Sequence, residues 1–162
     1  MHQHLEVGIG ACPDYVWAVL TDVERWPGFA PSLRSVEVFD GGPLVVGGGV
    51  RVRQRGLPDR DWRVTELRPH RGFTWQGGGL GSASSLRVRL GRAASGRGTD
   101  LVVDLDRSGW VGAAVGAMTA STSASHLEEL FAGLRRRCEA GQCAPDGRDA
   151  ATTASPAVRH GS

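Results

Sequence analysis

Between Trp110 and Ala140 one face of the chain repeats every three or four residues: Val115, Met118, Thr122, His126, Leu130, Leu134 and Cys138, with Leu127 and Phe131 widening the stripe. This period predicts a helix of roughly 45 Å at 1.5 Å per residue, well beyond the usual three or four turns. A helix of that length needs a large surface to lie along. Its stripe is uneven. Leu127, Leu130, Phe131 and Leu134 are core side chains, whereas Gly112, Ala113, Ala114, Gly116, Ala117, Thr119, Ala120, Ser121, Thr122 and Ser123 are nearly all small. A sheet facing the small half would either approach it closely, which Gly112 and Gly116 permit, or leave a cavity.

Upstream the period is mostly two. Leu5, Val7 and Ile9 alternate with polar or small residues and predict a first strand ending at Gly10. Pro13 and Asp14 suit the first turn of a helix whose inward face is Val16, Val19 and Leu20. A second short helix over Thr21–Trp26 is closed by Pro27-Gly28. The remaining strands carry Val36 and Val38; Val50, Val52 and Gln54; Trp62 and Val64; Phe73 and Trp75; Leu86, Val88 and Leu90; and Leu101, Val103 and Leu105. Asp40-Gly41-Gly42-Pro43 and Arg68-Pro69-His70-Arg71 supply turns. The expected architecture is α+β: a curved antiparallel sheet of about seven strands around a long C-terminal helix, with two short helices after strand 1. We expect one domain over residues 1–141. Residues 142–162 lack any apolar period and read as a disordered tail.

Composition narrows the function classes. All nineteen basic residues are arginine, there is no lysine or asparagine, and isoleucine and tyrosine occur once each, at Ile9 and Tyr15. These four types have AT-rich codons, so the arginine excess reads as a GC-rich, bacterial coding sequence. A net charge of +2 is too small for electrostatic capture of nucleic acid. The uncharged run Ser108–Ser125 lacks the apolar density of a membrane span, and no segment resembles a signal peptide. Cys12, Cys138 and Cys143 indicate neither a disulfide framework nor a zinc site, which makes a reducing cytoplasmic setting the default.

Val16-Trp17, Thr21-Asp22-Val23-Glu24-Arg25-Trp26-Pro27, Gly42-Pro43, Trp62-Arg63-Val64-Thr65-Glu66-Leu67, Phe73-Thr74-Trp75 and Gly98-Thr99 appear in this element order. In this the chain resembles the START-like (SRPBCC) superfamily, and within it the bacterial polyketide cyclase/dehydrase branch, over roughly residues 3–140. The resemblance implies a helix-grip fold with a cavity between sheet and long helix, where relatives bind lipids, quinones, hormones or polyketides and a minority catalyse reactions on them. It shifts the small half of the helix towards the cavity reading. One departure is that many relatives carry a histidine where this chain has Ala83-Ser84-Ser85-Leu86, so no role of that histidine transfers.

Candidate residues follow from this placement. His126, between Thr122 and Leu130, is the candidate for an acid–base group, with an edge-of-core histidine as the plainer alternative. The ligand-binding set we expect is Trp26, Phe29, Trp62, Val64, Trp75, Leu86, Met118, Thr122 and His126, with Gln54 and Glu66 as polar contacts whose facing depends on strand register. His2 and His4 share a strand face, but no third metal ligand is evident. Gly77-Gly78-Gly79-Leu80-Gly81 precedes a strand where a dinucleotide fingerprint needs a helix, and reads as a hairpin tip. Arg51, Arg53, Arg55, Arg87 and Arg89 share the outer face with Glu37, Asp104 and Asp106, a mixed and solvated surface. We expect no metal and no cofactor, no nucleic acid partner and no integral membrane segment, and the oligomeric state stays open. The expected activity is binding of a small hydrophobic molecule. Its alternatives are a polyketide aromatase/cyclase or dehydratase, and a lipid or quinone carrier.

Overall fold

Alternating side chains on consecutive strands build one sheet face of valine, leucine and tryptophan and one of arginine and carboxylate. In the computed structural model these strands are β1 (His2–Ile9), β2 (Leu33–Val38), β3 (Gly49–Gln54), β4 (Arg60–Arg68), β5 (Gly72–Gly79), β6 (Ser82–Arg92) and β7 (Thr99–Ser108). They form a seven-stranded sheet in the order β1-β7-β6-β5-β4-β3-β2, antiparallel throughout. Residues 2–79, 82–94, 96, 98–108 and 110–141 are described, those at 79, 82 and 110–123 by backbone alone. The expected tail, 142–162, lies outside the described residues.

Between β1 and β2 come α1 (Pro13–Thr21) and a 3₁₀ helix (Val23–Gly28). The second short helix is therefore tighter than expected, and it includes Pro27. A 3₁₀ turn is the short form the backbone takes where Pro27 removes a donor. The long helix α2 runs from Trp110 to Glu139. Leu127, Leu130, Phe131, Leu134 and Cys138 of its second half are buried with Val16 and Leu20 of α1 and the inward row of the sheet. Two carboxylates fasten α2 to neighbouring loops: Glu129 accepts the Ser32 N–H at 2.8 Å and Glu139 accepts the Gly10 N–H at 2.8 Å. Burial of the Cys138 thiol pushes it up to about 11, so it behaves as an inert core group.

Cys12 is disulfide-bonded, with a partner outside the described residues. The three cysteines had indicated neither a disulfide framework nor a zinc site, and the bridge at Cys12 was not anticipated from them. A single bridge leaves no spacing signature of the kind that reveals a multi-disulfide framework. No helix among the described residues is long and apolar enough to cross a membrane.

The outer face carries cross-strand pairs of mixed sign, as its alternation predicts. Arg51 meets Asp61 at 2.8 Å, Arg53 meets Glu37 at 3.6 Å, and Arg89 meets Asp104 at 3.2 Å. His4 Nδ1 also reaches Asp104 at 2.7 Å. That hydrogen bond, then one to Glu6, raises the His4 ring above its ordinary 6.5, while His4 and then Arg89 hold the Asp104 carboxyl below its ordinary 3.8. The signs define a window. The His4 contribution is fully present below 6.5 and lost as pH rises through its raised value; that of Asp104 is present above 3.8 and lost as pH falls through its lowered value. An NMR titration should therefore place the His4 midpoint above 6.5, and Asp104→Asn should bring it back down. A midpoint at or below 6.5 in the parent would contradict the pairing.

Candidate ligand-binding site

Register assigns the inward side chains to rows. Leu105 of β7 stands opposite Leu86 of β6, Leu86 opposite Trp75 of β5, and Trp75 opposite Val64 of β4. One step towards the open end of the same strands the row reads Arg107, Ser84, Gly77 and Trp62. The apolar row forms a floor; the second row is a polar rim. Gly77 is needed in that rim because a Cβ there would come within 3.1 Å of the Trp62 ring and 3.0 Å of the Asp61 carbonyl oxygen. Without a side chain at 77, the Trp62 indole lies across the strand.

Above the floor, Trp26 from the 3₁₀ helix stacks on Trp75 with ring centroids 5.5 Å apart, and Trp62 tilts against Trp75 at 6.4 Å. The Trp26 indole donates to the Leu20 carbonyl at 3.1 Å, which fixes its ring. His126, Leu127 and Leu130 of α2 face these rings across a cavity of about 60 Å³ that Leu33, Val52, Gln54, Leu86, Leu105 and Arg107 also line. That volume holds a few waters. Two buried nitrogens, Trp75 Nε1 and His126 Nδ1, find no hydrogen-bond partner among the described residues. A buried polar atom left unsatisfied costs about 1–3 kcal/mol, so these two are where a bound polar atom would be most strongly held.

The rim is cationic. Arg60 and Arg107 are half-buried, and burial lowers both guanidinium groups from their ordinary value; proximity to Arg60 lowers Arg107 further. Arg60 donates from Nη1 to Ser84 Oγ at 2.6 Å and lies over the Trp62 ring, 5.7 Å from its centroid. Larger hollows, of about 620 and 880 Å³, lie on the outer side of the sheet among Glu66, Arg68, Arg87 and Arg89 and among Asp61, Arg63, Gln76 and Asp106. They are open grooves between charged side chains. Size alone favours them, but an apolar ligand gains nothing from such walls.

The sequence matches, over residues 3–139, the family described as polyketide cyclase/dehydrase and lipid transport. The chain belongs to that family. No curated relative matches the sequence at a significant level. Among solved structures, this polyketide cyclase/dehydrase family member is similar to DynU16, a protein of the dynemicin biosynthetic locus, with 20% identity and a TM-score of 0.65 over 86% of this chain and 48% of that one. It thus spans about half the length of DynU16. It is also similar to major latex-like protein 151 of Panax ginseng, with 10% identity and a TM-score of 0.69 over 85% of this chain and 97% of that one. A third similarity is to the di-domain ARO/CYC StfQ of the steffimycin biosynthetic pathway, with 8% identity and a TM-score of 0.68 over 85% of this chain and 50% of that one. At these identities the likeness is one of fold: the helix-grip architecture the sequence led us to expect.

Of the expected site residues, the structure brings Trp26, Trp62, Trp75, Leu86 and His126 together around the cavity, with Gln54 beside them. Val64 is 1% exposed and packs in the core instead of lining the space. Phe29 is also outside the lining, its ring and carbonyl resting against Gly133 of α2. Met118 and Thr122 have side chains outside the described residues. Glu66 faces outward, paired with Arg68 at 3.2 Å, because a bulge between Val64 and Glu66 adds a residue and reverses the alternation. Period-two counting cannot see that insertion. For His2 and His4, Asp104 supplies the third ligating group that the sequence did not reveal, with all ligand atoms within 4.8 Å. Asp104 is already held there by His4 and Arg89. Arg60 and Arg107 went unnoticed although their signal was present: Arg107 continues the inward series Leu101, Val103, Leu105, and Arg60 precedes Trp62 and Val64 by the same step.

Proposed function

We propose that this polyketide cyclase/dehydrase family member binds a small, flat, mainly apolar molecule between the inward face of its sheet and α2. The observation that carries this reading is the tryptophan trio, Trp26, Trp62 and Trp75, facing His126 across an internal space in which two buried nitrogens have no partner among the described residues. Ordinary core packing accounts for large aromatics but not for unsatisfied polar nitrogens beside them. Pockets for drug-sized ligands run to about 300–1,000 Å³, several times the cavity between the described side chains. The stretch of α2 preceding His126 carries only small side chains from Gly112 to Ser123 apart from Val115 and Met118, a composition that favours extra room on that side. Relatives with the same fold include a protein named as an ARO/CYC, which supports a polyketide-like ligand over a generic apolar one. His126 is the acid–base group available if the bound molecule is also transformed.

The test is binding of the uncharged fluorophore phenylnaphthylamine. The parent should bind it with a rise in emission. Leu105→Trp, which places an indole in the cavity from β7, should abolish binding at an overpacking cost of about 1–3 kcal/mol while the far-UV spectrum stays that of the parent. Unchanged probe binding in that variant would place the probe elsewhere and defeat the proposal.

A further inference from the structure

We propose that His2, His4 and Asp104 form a binding site for a divalent late transition metal, zinc above all, on the outer face of the sheet. The site lies on the side away from the cavity and is independent of the ligand bound there. Register builds it. β1 and β7 pair with His2 opposite Asp106 and His4 opposite Asp104, so two imidazoles two residues apart and two carboxylates two residues apart share one sheet face. One ligand atom from each of His2, His4 and Asp104 lies within 4.8 Å of the other two. His2 Nε2 and His4 Nδ1 converge on the same oxygen, Asp104 Oδ1, at 3.4 and 2.7 Å. Neighbouring donors around a tetrahedral zinc, at bond lengths of about 2.0–2.2 Å, stand about 3.4 Å apart, so movements of about 1 Å in these side chains close all three atoms on one ion.

The surrounding groups orient the three ligands. Each ring has a carboxylate at both nitrogens: His2 Nδ1 is bonded to Asp106 Oδ1, and His4 Nε2 stands 3.3 Å from Glu6 Oε2. A neutral imidazole carries one N–H and one lone pair, so it can donate to only one of its two carboxylates. With those N–H groups turned to Asp106 and Glu6, the lone pairs of His2 Nε2 and His4 Nδ1 face Asp104 Oδ1, and a cation between the three satisfies them together. Arg89 Nη2 takes the other oxygen, Asp104 Oδ2, at 3.2 Å and leaves Oδ1 to the histidines. Asp106, Glu6 and Arg89 are thus positioning residues of the kind that fix tautomer and orientation around a metal-bound histidine or carboxylate. Two nitrogens and one oxygen suit zinc and disfavour calcium or magnesium, which take oxygen ligands. The side chains of His2 and His4 are 53% and 46% exposed, which gives water access to complete the coordination. An ion held this way ties the edge strand β1 to β7.

Zinc itself is the probe. The full chain, freed of metal and titrated by isothermal calorimetry, should take up one zinc ion, and the melting temperature should rise with zinc concentration because the ion binds the folded state. His2→Gln, His4→Gln and Asp104→Asn should each weaken binding by at least about tenfold, and Arg89→Gln, which frees the carboxylate to turn, by about 10–100-fold. His70→Gln removes a histidine that pairs with Asp14 elsewhere and should change nothing. Far-UV circular dichroism should match the parent in every variant, since all these side chains stand on the outer surface. No uptake by the parent, or an undiminished affinity in Asp104→Asn, would overturn the site. A loss confined to the two histidine variants would assign the metal to the histidine pair of β1 alone and overturn it as well. None of these outcomes bears on the pocket, whose own test is binding of the neutral fluorophore.

Discussion

Replacing Gly133 by alanine should destabilise this protein by about 3 kcal/mol, at the upper end of the usual overpacking cost. Helix propensity alone says the opposite, since alanine is favoured over glycine inside a helix by about 1 kcal/mol. The decision rests on position: a Cβ on Gly133 would run into the backbone carbonyl oxygen of Phe29, and a backbone atom in a closed turn cannot swing aside as a side chain could. That turn is held by the Phe29 and Ala30 N–H groups donating to Trp26 O, both at 3.0 Å. Displacing it would also move Trp26, and with it one wall of the cavity. For a chain of this size each kcal/mol lowers the melting temperature by about 2–4 °C, so calorimetry should show a drop of roughly 10 °C. A variant as stable as the parent, or more so, would mean that α2 does not press on this turn.

Trp75→Ala should cost about 3–5 kcal/mol in urea denaturation, as removal of a buried aromatic does. Trp75 is 1% exposed and in ring contact with Trp26, Trp62 and Phe73, so truncation opens a void at the centre of the sheet. Trp75→Phe separates two contributions. It keeps most of the apolar contact and removes the indole N–H that has no partner among the described residues, so its cost should be far below that of alanine. If phenylalanine proves as costly as alanine, the N–H is making a hydrogen bond and the orphaned-donor argument fails.

How far the sequence reached is visible residue by residue. Each strand was legible because one face is buried, and alternation such as Leu86, Val88, Leu90 against Arg87, Arg89 follows directly from a pleat with a period of two. The long helix was legible from its core half, where Leu127, Leu130, Phe131 and Leu134 return every three or four positions. The site was less so, for reasons that differ. Glu66 was lost to a bulge, which local periodicity averages over. Val64 and Trp75 carry the same inward sign, and nothing in the pattern distinguishes a side chain that lines a space from one packed solidly behind it. Arg60 and Arg107 occupy inward positions at strand ends, where a charge is easily attributed to fraying; only the pairing of β4 through β7 puts them on one rim. Cys12 joins a bridge that sequence spacing could not show.

The stacked indoles have an optical consequence. Trp26 and Trp75 lie 5.5 Å apart and only 19° from parallel, with Trp62 in touch, so three of the chain's five chromophores of this type absorb as a coupled group. Their transitions mix, and excitation migrates among them before emission. A molecule settling against any one ring therefore quenches or shifts the emission of the group, and the protein carries its own spectroscopic gauge of occupancy, with no dye required.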